Sequence, residues 1–168
     1  MKPHKSAEHA ARNAIEALGF TVHDANILFD ANCPNIDLVA FGKNGARYIQ
    51  VKLSSRPATK GGAIVDGSPW TEEQLFKNAP VFNKRDDAPH AHLVMVAHRD
   101  DAGDYTFYVI PPKALLSLML PIARAFARKP KRDGNRRKMF RKEIPLAKLA
   151  RYKNAWRYLG EPLRSGDD

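Results

Sequence analysis

Apolar and polar positions alternate most plainly between Asn35 and Leu53, where NIDLVAFG reads as one strand, GKNG as a turn and ARYIQVKL as a second strand. Asn44-Gly45 is a dipeptide that supplies positive φ in tight hairpin turns, so the two strands are expected to pair antiparallel. Side chains two apart on a strand share a face, which points Gln50 and Lys52 one way and Ile49, Val51 and Leu53 the other. An amide and an ammonium side by side in so apolar a strand call for a chemical reason.

The same reading extends along the chain. Ser6 to Leu18 is expected to be helical, with Ser6 as cap, a stripe of Ala10, Ala14 or Ile15, and Leu18, and Gly19 as the stop. Phe20 to His23 reads as a short strand that Ile27 to Phe29 extends or follows with an edge, and Asn32-Cys33-Pro34-Asn35 as a polar turn. Ser54 to Gly67, rich in Gly, Ser and Thr, reads as a mobile loop; its Lys60-Gly61-Gly62 lacks the spacing of a phosphate-cradling nucleotide loop. A helix from Ser68 to about Asn78 follows, with Ser68 or Thr71 as cap. Ala91 to Ala97 and Tyr105 to Ile110 are apolar enough for interior strands. Pro112 to Phe126 forms an amphipathic helix, Arg128 to Lys138 a basic loop or hairpin, and Leu146 to Leu159 a last helix striped with Leu149, Tyr152, Trp156 and Leu159. Helix, strands, helix, strands, helices is an α/β order.

Composition narrows the class. At 168 residues and 43% hydrophobic content the chain is expected to form a single domain over 1–168 with a real core. The N-terminal stretch is polar, unlike a signal peptide, and the longest apolar run, Ala114 to Ala123, is too short for a bilayer and broken by Pro121. Cys33 is the only cysteine, which excludes an intrachain disulfide and suits a reducing, cytoplasmic setting.

The net charge of +10 is unevenly placed: residues 121–160 hold fourteen Lys and Arg against two acids, Asp133 and Glu143, so the rest of the chain is slightly acidic. A segment this basic fits a surface that neutralises phosphates. Its candidate nucleic-acid contacts are Arg124, Arg128, Lys129, Lys131, Arg132, Arg136, Arg137 and Lys138. Tyr152 and Trp156 could stack on bases, but their helical spacing reads as core. His90 and His92 could share a face as a metal-binding pair, with no third ligand nearby in sequence.

Glu8 on the first helix, Gly19-Phe20-Thr21-Val22 opening a strand, Asp37 on the next, and Gln50-Val51-Lys52 after twelve intervening residues together resemble the PD-(D/E)XK nuclease superfamily. YTFYVIPP followed by a helix and the closing YKNAWRYL extend the likeness, which is similar to resolvase-like and uncharacterised members. Gln50 stands where the family usually carries an acid.

The resemblance implies a restriction-endonuclease-like α/β fold with a central mixed sheet of about five strands flanked by helices. It also implies a Mg2+-dependent endodeoxyribonuclease, with Mn2+ as an alternative ion, and Asp37, Gln50, Lys52 and Glu8 as the catalytic set. A cation that neutralises phosphoryl charge and acidifies a water needs a mostly oxygen shell, here Asp37, the Gln50 side-chain carbonyl, the Val51 backbone carbonyl and Glu8. Glu16, two helical turns from Glu8, is the weaker choice for that shell. Lys52 would position the water or stabilise developing charge. DNA is the expected partner, and a homodimer is required only for branched-DNA resolution, which needs two sites. The alternatives are a catalytically silent nucleic-acid-binding module of the same fold, and a protein-interaction domain whose basic face meets an acidic partner.

Overall fold

A computed structural model describes residues 3–30, 33, 36–54, 62–66, 91–111, 114, 115, 117, 118, 121 and 141–160. Helix α1 (Pro3–Glu16) leads into strand β1 (Thr21–Asp24), a single helical turn α2 (Ala25–Leu28), then β2 (Leu38–Gly42) and β3 (Gly45–Ser54). Strands β4 (Gly62–Asp66), β5 (Leu93–Arg99), β6 (Tyr105–Ile110) and β7 (Arg141–Pro145) follow, then a 3-10 helix (Leu146–Tyr152) and a last helical turn (Arg157–Gly160). The central sheet has the order β1-β2-β3-β5-β6, and β4 with β7 makes a separate two-stranded ribbon. This is the expected α/β order with a central mixed sheet of five strands: an antiparallel meander β1-β2-β3, with β5 returning parallel beside β3 and β6 closing antiparallel.

Two apolar layers hold the sheet. On one face Ile49, Met95, Ala97 and Val109 pack with Ala7, Ala11 and Ile15 of α1. On the other, Val39, Val94, Val96 and Ile110 pack with Leu115, Ile144, Leu146, Leu149 and Tyr152. β5 is buried on both faces, as a parallel-paired interior strand must be.

The structure corrects several expectations. The buried stripe of α1 is Ala7, Ala11 and the expected Ile15, while Ala10 and Ala14 are only partly buried and Leu18 is exposed. Ser6 does not cap α1: the helix begins at Pro3, where a missing N–H costs nothing, and Ser6 Oγ instead meets Tyr105 Oη at 3.0 Å. Gly19 does stop it, at φ +89°. Ile27 to Phe29 is not strand, because Asp24 caps α2 by accepting from the Asn26 N–H at 2.9 Å.

Part of the expected loop from Ser54 to Gly67 is strand β4, whose Ala63-Ile64-Val65 pairs with Ile144-Glu143-Lys142. The expected helix from Leu146 to Leu159 is interrupted. Asn154 takes φ +49° and its N–H donates to Phe107 O at 2.7 Å, tying the break to β6. Leu149, Tyr152 and Leu159 are nonetheless buried, while Trp156 is only partly so. The expected helix over 68–78 and the basic segment 128–138 lie outside the described residues. Among the described residues no helix is long and apolar enough to cross a membrane.

Candidate active site at the open end of the β2-β3 hairpin

The hairpin forms as its sequence dictates. Leu38 pairs with Ile49 and Gly42 with Gly45, and Gly45 alone of the turn's Asn44-Gly45 pair takes positive φ, at +91°. Gly42 has a separate role: a Cβ there would lie 2.4 Å from Phe20 Cε1, so the ring that precedes β1 rests on bare backbone.

β3 is ten residues long and β2 only five. Pairing between them ends at Leu38, so β3 runs on past β2 from Gln50 to Ser54. Asp37 sits one residue ahead of β2 rather than inside it. Its backbone closes the gap on both sides, with its N–H donating to Ile49 O at 2.9 Å and its carbonyl accepting from Ala25 N at 3.0 Å. Its carboxylate then takes over where backbone pairing stops: Oδ2 accepts from the Val51 N–H at 2.7 Å. Within a strand the N–H and C=O of one residue point to the same side. The Val51 carbonyl therefore faces the flank of β3 on which Asp37 lies.

Gln50 and Lys52 lie in register with Val94 and Val96 of β5, on the sheet face away from α1. Gln50 is 3% exposed and Lys52 half-buried. The helix that carries Glu8 packs over the opposite face, so Glu8 does not share a sheet face with Gln50.

Burial pushes the Asp37 carboxyl above the usual carboxylate range; the Val51 N–H opposes this, the Glu8 charge adds to it, and Lys52 and Lys5 pull it back. Of the two glutamates on α1, only Glu8 acts on Asp37. Glu16 is exposed and pairs with Arg12 at 3.7 Å.

Two charged residues that the sequence did not single out join the cluster. Lys5 Nζ lies 2.7 Å from Glu8 Oε2 and 3.6 Å from Asp24 Oδ2. Lys5 and Glu8 stand three apart on a helix, a spacing that signals a pair. Asp24 has no such sequence signal, because it reaches the site only through its register opposite Leu38.

His90 is outside the described residues, and His92 is engaged with Tyr48, stacked at 4.7 Å and accepting from its N–H at 3.2 Å. No cluster of three or more His, Cys, Asp or Glu suited to a metal occurs among the described residues. If Asp37 and Glu8 were to share a cation, oxygens from Gln50 and Val51 would have to complete its shell. Arg124, Arg128, Lys129, Lys131, Arg132, Arg136, Arg137 and Lys138 lie outside the described residues.

No family model and no curated protein matches the chain. Among solved structures it is similar to a bacterial homing endonuclease, I-Ssp6803I, at 17% sequence identity and a TM-score of 0.49, over 93% of this chain and 89% of that chain.

Proposed function

We propose that the chain is a metal-dependent nuclease of the PD-(D/E)XK type, hydrolysing phosphodiester bonds in DNA with Mg2+ or Mn2+ as cofactor. The observation that carries this reading is the Asp37 carboxylate held 2.7 Å from the Val51 N–H at the point where β3 outruns β2, beside Gln50, Lys52 and Glu8.

The residues present fit a hard divalent cation. Asp37 is made reluctant to ionise by burial and by the neighbouring Glu8, a strain that a cation between the two carboxylates would relieve. Asp37, Glu8, the Gln50 amide oxygen and the Val51 carbonyl make an all-oxygen donor set, which Mg2+ prefers. Such an ion supplies charge neutralisation at the phosphoryl oxygens and a more acidic attacking water.

The chain's own groups do the rest. The Val51 N–H fixes one oxygen of Asp37 and so orients the other. Lys52, on the same side of β3 as Gln50, places an ammonium where negative charge develops on the phosphate in the transition state. The basic segment from Arg124 to Lys138 would hold the phosphate backbone.

A cleavage panel of duplex, single-stranded, branched and mismatched DNA and of RNA, run with Mg2+ or Mn2+ and with chelator, tests the proposal. Wild type is expected to cut at least one DNA substrate only with metal, and Asp37→Ala to cut none. Cleavage that persists with chelator or in Asp37→Ala would overturn it.

One observation favours a second reading. Gln50 is neutral and buried where an acid would strengthen cation binding, which suits a module that kept the fold and binds nucleic acid without cutting it. Metal-independent DNA binding with a steep salt dependence, and no calorimetric signal with Mn2+, would establish that reading instead.

A further inference from the structure

Lys5 is placed to do more than decorate the surface of α1. Its ammonium lies between two carboxylates, 2.7 Å from Glu8 Oε2 and 3.6 Å from Asp24 Oδ2, and its charge is felt by a third, Asp37. The hydrogen bond that it donates to Glu8 is the main reason its own pKa is raised. The two partners differ in mobility. Asp24 is anchored: its other oxygen caps α2 through the Asn26 N–H at 2.9 Å. Glu8 has no such second bond among the described contacts, and its side chain is 18% exposed.

We infer that Lys5 is a built-in competitor for the divalent cation at Glu8, its ammonium resting on Glu8 and transferring to Asp24 when a cation takes the carboxylate. This rests on the metal-site reading of Asp37 and Glu8. A cation shared by those two carboxylates competes with the Lys5 ammonium for Glu8, because like charges at close range repel. Lys5 has a long flexible stem and a 57% exposed side chain, so it can move. Asp24 is already within ion-pair distance and cannot follow Glu8, being tied to α2. Lys5 therefore sets how much cation is needed to load the site.

The test is Mn2+ binding by isothermal titration calorimetry to the full chain, with no nucleic acid present. Lys5→Met keeps the stem and the helix propensity but removes the charge. It should bind Mn2+ about threefold to fivefold more tightly than wild type, the scale of one partly exposed ion pair. Lys5→Arg should restore wild-type affinity. Asp24→Asn keeps a good N-cap and removes the resting place, so it should weaken Mn2+ binding in the wild-type background and have little effect beside Lys5→Met.

If wild type binds Mn2+ and Lys5→Met binds it equally or more weakly, the inference about Lys5 is overturned while the metal site stands. Equal weakening by Asp24→Asn in both backgrounds would overturn Asp24 as the resting place. Absence of Mn2+ binding in both wild type and Lys5→Met would overturn the metal-site reading and this inference together.

Discussion

Asp37 is held in its place at some cost to the fold. Burial raises its pKa above that of an ordinary aspartate, so the folded chain binds this proton more tightly than the unfolded chain does. The stability associated with the group is therefore greatest in acid and falls as pH rises through the raised pKa, leaving an ionised, partly desolvated carboxylate at neutral pH. Asp37→Asn removes that charge and keeps an oxygen able to accept from the Val51 N–H. It should melt at a higher temperature than wild type at pH 7, and the two should converge as pH falls below the ordinary carboxylate range. Thermal melts across pH check this. A variant that melts lower than wild type at pH 7, by a margin that acid leaves unchanged, would show that Asp37 is there for packing. Stability given up at one charged position is the usual mark of a site kept for chemistry.

At the scale of elements, the hairpin was legible in the sequence because every signal that builds it is local. Alternation from Ile36 to Leu53 sets the faces and Gly45 sets the turn. What the sequence could not give is the unequal length of the two strands, since pairing stops where Asp37 replaces strand hydrogen bonds with its side chain. Strand β4 was missed for a related reason: its partner β7 is some eighty residues away, and a run such as Ala63-Ile64-Val65 between glycine-rich flanks carries no sign of it. The final helix was misread because Leu149, Tyr152 and Leu159 keep helical spacing across a break imposed by β6, a tertiary effect no periodicity reports.

Gly42 gives this scale its test. An alanine there must push the Phe20 ring aside, which should cost roughly 1–3 kcal/mol of stability as an overpacked contact. Denaturant titration measures the loss, and Phe20→Leu in the same chain should recover part of it. A Gly42→Ala variant as stable as wild type would mean that β1 docks on the hairpin without this close fit.

Across the whole molecule the candidate site is assembled from α1, β2, β3 and the cap of α2, elements that meet only in the folded chain. Asp37, Gln50 and Lys52 could be found by reading along the sequence because two strands and a turn deliver them. Glu8 was singled out by resemblance, and it stands on the helix over the sheet face opposite to that of Gln50. Lys5 and Asp24 come from the first helix and from the strand edge opposite Leu38, so only tertiary structure brings them together. The charge is divided along the chain as well, with bases concentrated in residues 121–160 and the remainder slightly acidic. A phosphate backbone held by the basic segment would need a cation to approach Asp37 and Glu8 at all, which is the physical tie between binding and chemistry in this account.

The most direct test separates chemistry from binding at Lys52, whose ammonium contributes to the transition state in this account while the cation is held by its neighbours. Wild type and Lys52→Ala, purified side by side and matched for DNA affinity, should be compared for Mg2+-dependent cleavage of end-labelled DNA across the substrate panel. Wild type is expected to cut, and Lys52→Ala to cut at least about a hundredfold more slowly, the usual loss when one transition-state stabiliser is removed. Equal cleavage by the two proteins, or no cleavage by wild type on any substrate, would contradict it.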